Sequence, residues 1–260
     1  MLHGRNALVT GSTSGIGLGV ARALAHEGAN IMLNGFGDAN EIEEIRAVLA
    51  RDSGIRVAFN AADLSQPDQV AELIERTQVE LGGLDILVNN AGIQHVAPID
   101  EFPVERWNAV IAVNLSAVFL TMKFAVPAMR DRGWGRVINI ASAHGLVASP
   151  NKVAYVAAKH GVVGATKVAA LELANTGVTV NAICPGWVRT PLVERQLEDR
   201  ARLNGTDVAR EADLLLAEKQ PMLNFTTTEA LGAMAVFLCT DHAATITGAP
   251  LSMDGGWVAQ

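Results

Sequence analysis

A tyrosine and a lysine four residues apart, Tyr155 and Lys159 in KVAYVAAK, form a pair suited to acid–base chemistry. A phenol titrates near pH ~10 and exchanges protons poorly at neutrality. An ammonium on the same helical face stabilises the phenolate and pulls that pKa down. Tyr155 is the chain's sole tyrosine. Ser142 follows the strand-like run Gly135–Ile140 and is placed to hold a substrate oxygen beside the pair. Ser149 and Pro150 suit the cap and first position of the helix that would carry Tyr155 and Lys159. Such a trio fits proton transfer at an oxygen while hydride moves at the attached carbon. A Tyr–Lys pair alone is more often a surface contact, so its meaning comes from its surroundings.

Hydride chemistry needs a dinucleotide, and the first strand–helix junction offers a place for one. Thr10-Gly11-Ser12-Thr13-Ser14-Gly15-Ile16-Gly17 follows the strand-like Asn6–Thr10 and opens a helix running from Ile16 to His26. One glycine makes the tight turn, another lets the backbone approach a pyrophosphate, and a third permits close helix–strand packing. The helix start adds amides and positive potential. The second strand ends in Asn34-Gly35-Phe36-Gly37-Asp38, with no arginine or lysine there or in the glycine loop. A 2′-phosphate would want such a cation, so NAD is expected over NADP, with Asp38 as the one carboxylate near the ribose. Asp63-Leu64 after the third strand suits the adenine amino group. Asn89-Asn90-Ala91-Gly92 after the fourth offers small residues and side-chain amides to the nicotinamide ribose. These positions are all carboxyl ends of strands, where open parallel sheets bind ligands.

The positioning elements alternate along the chain. Further strand-like runs are 29–33, 55–59, 84–89 and 178–183, and helical patterns cover 41–51 and 67–81. Such βαβα alternation predicts a doubly wound α/β fold, a parallel sheet with helices on both faces, in a single domain spanning 1–260. The charged insertion 190–220 breaks the regularity and reads as a substrate lid or as a solvated helical pair. At 260 residues, half of them hydrophobic and 18% charged, the chain can bury a large core. Its net charge of −7 argues against nucleic acid as a partner. Cys184 and Cys239 are too few for a disulfide framework, and no ligand cluster announces a metal. No run approaches the ~18 apolar residues needed to cross a bilayer. MLHGRNALVTG enters a strand without a secretory pattern, so a cytoplasmic protein is expected.

Together these features resemble the short-chain dehydrogenase/reductase family over essentially the whole chain. The resemblance rests on TGSTSGIG, Asn89-Asn90-Ala91-Gly92, Asn114 in VNLS, Ser142 with Tyr155 and Lys159, Pro185-Gly186, and Met253-Asp254-Gly255-Gly256. It implies a Rossmann-type sheet of about seven strands, with homotetramers the usual assembly. It implies Tyr155 as general acid/base, Lys159 lowering its pKa and binding the nicotinamide ribose, and Ser142 orienting the substrate oxygen. Asn114 would hold a water in a proton relay past Lys159. Cofactor contacts are implied for Gly11, Thr13, Gly15, Ile16, Gly17, Phe36, Asp63, Leu64, Asn90, Ala91, Gly92, Tyr155, Lys159, Pro185, Gly186, Val188 and Thr190. The absence of an aspartate at the very end of the second strand departs from the family's NAD pattern.

Helical spacing puts Lys152 on the face of Tyr155 and Lys159, and His144 points with Ser142 if that stretch stays extended. With Gln94 they suggest a cradle for a small carboxylate substrate. Gln94, Ser142, His144, Lys152, Tyr155, Trp187, Gln196 and Trp257 resemble the bacterial branch of the family that oxidises D-3-hydroxybutyrate to acetoacetate with NAD. That resemblance implies carboxylate contacts from Gln94, His144, Lys152 and Gln196, and an apolar wall from Trp187 and Trp257. A reductase of 3-oxoacyl thioesters of acyl carrier protein or CoA is the alternative, and would favour basic residues at the lid. A sugar or polyol dehydrogenase is a weaker one. A non-catalytic cofactor-binding sensor would be expected to have lost Ser142, Tyr155 or Lys159.

Overall fold

Seven short parallel strands in the order β3-β2-β1-β4-β5-β6-β7 form the sheet of the computed structural model, which describes residues 1–259. They are β1 (Asn6–Val9), β2 (Asn30–Asn34), β3 (Val57–Asn60), β4 (Ile86–Asn89), β5 (Gly135–Ile140), β6 (Val178–Pro185) and β7 (Pro250–Met253). The helices are α1 (Gly15–His26), α2 (Ala39–Ser53), α3 (Pro67–Leu81), α4 (Val104–Ile111), α5 (Ala117–Asp131), α6 (Val153–Leu173), α7 (Pro191–Asn204), α8 (Val208–Ala217) and α9 (Thr228–Cys239). Strands β1, β4, β5 and β6 are buried throughout, which is why they read as largely apolar, β-branched runs without a regular polar alternation.

Alternation along each strand feeds two separate apolar layers. Leu8, Met32 and Leu87 face Leu73 and Ile74 of α3, Met122 and Met129 of α5, and Val162 of α6. Ala7, Val9, Ile31 and Val88 face Val20 and Leu24 of α1 and Leu231 and Leu238 of α9. Strand order reverses between β1 and β4, opening a crevice at their carboxyl ends.

The expected elements 67–81 and 135–140 coincide with α3 and β5, and other boundaries move by a few residues. The helix bearing Tyr155 is a correction: Ser149 does not cap it. Asn151 takes a left-handed conformation (φ 64°) and delays the helix to Val153, while Ser149 Oγ bonds His144 Nε2 at 2.9 Å. Residues 104–131 run as one helical stretch through a π turn at Ala112–Ser116. It is the one helix among the described residues long and apolar enough to cross a membrane, but Met122, Ala125 and Met129 belong to the core beneath the sheet.

The insertion 190–220 contains the α7–α8 hairpin with its own small core of Val193, Leu197, Ala212 and Leu215. Buried Glu211 locks the hairpin, accepting hydrogen bonds from Thr206 Oγ1 (2.6 Å), Asn204 Nδ2 (3.0 Å) and Arg200 Nε (3.1 Å). These bonds, that of Thr206 foremost, hold its carboxyl below the usual carboxylate range. The descending chain is stitched to the body by Met222 N to Gly255 O (3.0 Å) and Thr226 N to Trp187 O (2.9 Å).

Candidate active site

The turn after β1 is tied down from three sides. Gly11 (φ 61°) and Gly15 (φ 55°) take left-handed conformations that suit glycine. Ser12 Oγ donates to Val9 O at 2.7 Å, and Thr13 Oγ1 to Phe36 O at 2.9 Å. Asn90 Nδ2 donates to both Thr10 O and Gly11 O at 2.9 Å. The Asn90 amide is therefore structural on its donor side, while the residue still lines the cleft. Asn89 is tied still deeper, its Nδ2 donating to Asn139 Oδ1 (2.8 Å) and its Oδ1 accepting from Thr121 (2.7 Å).

No side chain caps the first turn of α1, so its amides and its positive dipole end are open to the cleft. That cleft, about 630 Å³, is lined by Gly11, Thr13, Gly15, Ile16, Phe36, Asp63, Leu64, Asn90, Ala91, Gly92 and Thr190. Gly17 stands behind the wall, packed on Gly11 and Asn90. An uncapped helix start above a backbone-lined trough fits the diphosphate of a dinucleotide. Asp38 is a second correction. Its carboxylate caps α2, accepting from the amides of Asn40 (2.9 Å) and Glu41 (3.2 Å), because the chain turns into the helix there.

A second cavity of about 660 Å³ adjoins the first, sharing Ile16, Asn90, Gly92, Ile93, Thr190 and Leu192 as walls. Ser142, Tyr155 and Lys159 line its floor, with Pro185, Gly186, Trp187 and Val188 from the end of β6. Gln94 enters from the loop after β4 and Gln196 from α7.

Ser142 lies two residues past β5 in extended backbone, and its Oγ accepts from His144 N at 3.1 Å. The stretch beyond it is a 3₁₀ turn, so it does not stay extended as assumed for His144. Tyr155 lies in the first turn of α6, and Lys159 one turn on has its ammonium 5.6 Å from the phenol ring centre. Lys159 Nζ donates to Ile140 O at 2.7 Å, and burial lowers its pKa to about 8. Burial pushes the Tyr155 phenol above its ordinary value, with a hydrogen bond to Ser142 pulling it partly back; this upward shift is opposite to the lowering expected from Lys159. Asn114, buried in the π turn, pairs both ends of its amide with Ile93, accepting from its N–H (2.9 Å) and donating to its C=O (3.0 Å). It fixes the loop that carries Gln94.

Three of the expected substrate contacts stand behind the cavity wall. His144 is buried edge-on to Tyr155 (5.9 Å) and Trp257 (5.1 Å), and Trp257 leans on Trp187 at 6.1 Å. Burial, then the charge of Lys152, lowers His144 to about 4, so it is neutral at pH 7 and offers hydrogen bonds rather than charge. Lys152 sits at the N-cap of α6 with its ammonium 5.4 Å from the Trp187 ring centre; burial lowers its pKa, and Glu218 opposes the shift. Trp187 Nε1 is buried without a partner.

Gln220 was not singled out from sequence, and a lone glutamine in a loop carries no local signal. It is buried at the foot of the α7–α8 hairpin, where its Oε1 accepts from Trp187 N at 3.0 Å and its Nε2 donates to Asn224 O. Side chains at Gly186 or Gly255 would collide with it, so it sets the placement of the Trp187 wall.

Residues 5–201 match the family model of short chain dehydrogenases. The chain is 57% identical to a D-beta-hydroxybutyrate dehydrogenase of Cupriavidus necator, with 100% of both chains covered. It is 53% identical to one of Rhizobium meliloti, covering 98% of this chain and 99% of that one. Among solved structures, an actinorhodin polyketide ketoreductase variant with NADPH superposes with a TM-score of 0.91 at 34% identity, with 100% of both chains covered. Levodione reductase superposes with a TM-score of 0.90 at 31% identity, covering 100% of this chain and 99% of that one.

Proposed function

The chain belongs to the short-chain dehydrogenase family, and from that premise we propose that it interconverts D-3-hydroxybutyrate and acetoacetate with NAD. The observation that carries the reading is the meeting of Ser142, Tyr155 and Lys159 on the floor of a chamber whose other polar walls are Gln94 and Gln196. Identity of 53–57% to two D-beta-hydroxybutyrate dehydrogenases supports the same substrate.

A bound nicotinamide supplies hydride exchange with C3. The protein's part is the proton and the geometry. Tyr155 gives a proton to the substrate oxygen in reduction and takes one in oxidation. Ser142 Oγ hydrogen-bonds that oxygen, and the Lys159 ammonium stabilises the phenolate. Gln94 and Gln196 orient the carboxylate, with Lys152 as the nearby cation. Trp187, backed by Trp257, supplies the apolar wall for the methyl end. A panel with NAD tests this: D-3-hydroxybutyrate is expected to outpace its L-enantiomer, its CoA thioester and simple sugars. Faster turnover of the thioester would instead favour a 3-oxoacyl reductase.

Lys152→Ala is expected to raise KM for the free hydroxy acid by roughly 3- to 10-fold, the loss of a nearby positive charge behind the chamber wall, with kcat little changed. Steady-state kinetics decide it, and an unchanged KM removes Lys152 from the cradle.

NAD is supported by the wall near the end of β2, where Gly35, Phe36, Gly37 and Glu41 line the cleft. A 2′-phosphate there would meet the Glu41 carboxylate, and neither the end of β2 nor the glycine loop supplies a cation. Activity with NAD is expected to exceed that with NADP by at least about tenfold, as one unfavourable charge contact in a partly enclosed site implies. Equal kcat/KM values would refute it.

A further inference from the structure

Among the residues that line the cofactor cleft, Glu41 and Asp63 are acidic and Arg195 is the single cation. Neither the glycine loop nor the end of β2 contributes a basic side chain. Arg195 projects from α7, whose first residues Pro191 and Leu192 also line the cleft. The base of this helix rests on the glycine loop, with the Thr190 methyl 3.6 Å from where a Cβ on Gly15 would stand.

The other arginines of α7 and the one just before it are occupied. Arg189 pairs with Glu194 (2.8 Å), Arg200 with Glu211 (3.1 Å) and Glu218 (3.2 Å), and Arg202 with Asp199. Arg195 is exposed and has no ion pair among the described residues. A dinucleotide brings two negative charges on its diphosphate, which α1 meets only with amides and a dipole. The next residue, Gln196, lines the substrate chamber, and Leu192 lines both cavities.

We propose that Arg195 is the counter-charge for the dinucleotide's diphosphate and that, being carried on α7, it draws the α7–α8 hairpin down onto bound cofactor and sets Gln196 for the substrate. The Glu211 bonds make the hairpin one unit, so a pull at Arg195 is transmitted to the whole of it. This rests on dinucleotide binding by the family and not on which hydroxy acid is used.

The test is equilibrium binding of NADH, NADPH and ADP-ribose by fluorescence or calorimetry to wild type, Arg195→Ala and Arg195→Lys, with no hydroxy acid present. Arg195 is exposed on a helix and alanine is the better helix former, so the variants should fold; thermal melts verify this. Arg195→Ala is expected to weaken NADH and ADP-ribose alike by about tenfold or more, with partial rescue in Arg195→Lys. The salt dependence of binding should flatten in the alanine variant. NADH should slow Glu-C cleavage within 190–220 of wild type and should not do so in Arg195→Ala. Unchanged affinity for NADH and ADP-ribose, or a loss confined to NADPH, would overturn the diphosphate contact. Protection of the hairpin persisting in Arg195→Ala would overturn the coupling. Because no hydroxy acid enters these measurements, a wrong substrate assignment leaves their outcome intact.

Discussion

Replacing Tyr155 by phenylalanine is expected to leave dinucleotide affinity unchanged and to lower turnover by about 10²- to 10⁴-fold, the range of a positioned general acid or base. The ring's packing against His144 at 5.9 Å survives the change, so the loss reports the hydroxyl alone. Direction of the reaction sharpens the test. Burial raises the phenol's pKa, so Tyr155 holds its proton through neutral pH and is ready to serve as the acid for carbonyl reduction. Lys159 titrates at about 8, so its ammonium is largely present at pH 7 and is lost as pH rises through that value. Reduction is therefore expected to fall as pH climbs past about 8, while oxidation gains from easier proton removal. Initial rates in both directions across pH 6 to ~10 measure this. Residual rates of Tyr155→Phe should lack these limbs. A variant within a few-fold of wild type would mean that another group moves the proton.

What the chain discloses locally it discloses well. Buried parallel strands give short, largely apolar runs, and spacing of four puts Tyr155 and Lys159 on one face, so both are legible without coordinates. The partners of polar side chains are a different matter, because they arrive from distant segments. Asp38 looks like a ribose ligand until α2 is seen to begin at Ala39. Asn90 reads only as a cleft residue, and nothing local shows that its amide also donates to carbonyls some 80 positions earlier in the chain. Ser149 satisfies every local rule for a helix cap, yet the left-handed Asn151 intervenes and the hydroxyl turns to His144. The carboxylate cradle suffers the same way. His144 has the right residue type, and its burial removes the charge that made it attractive. Gln220 had no local signature at all, since its importance comes from the glycines and the tryptophan loop that close around it.

Gly17→Ala is expected to be nearly as damaging as loss of the phenol, though it removes no functional group. A Cβ at Gly17 would stand 2.2 Å from Gly11 O, 2.4 Å from Asn90 Nδ2 and 2.8 Å from Gly11 C. Two of these atoms are backbone, and the third is the amide that braces the glycine turn through Thr10 O and Gly11 O. No flexible side chain can yield, so the turn must move by about 1 Å or the brace must break. Overpacking of this kind costs about 1–3 kcal/mol of stability, or several degrees of Tm at roughly 2–4 °C per kcal/mol for a domain near this size. A displacement on the order of 1 Å at a positioned ligand also costs on the order of 100-fold, so kcat/KM for the dinucleotide should fall by about that much. Gly164→Ala is the matched control. It makes the same substitution within α6, where an added Cβ meets nothing within 4 Å, and it should be neutral or stabilising by up to about 1 kcal/mol. Calorimetric melts and NADH titrations of the two variants read the contrast. If Gly17→Ala binds NADH within a few-fold of wild type at an unaltered Tm, close contact between helix and turn is not what holds the cofactor trough in shape.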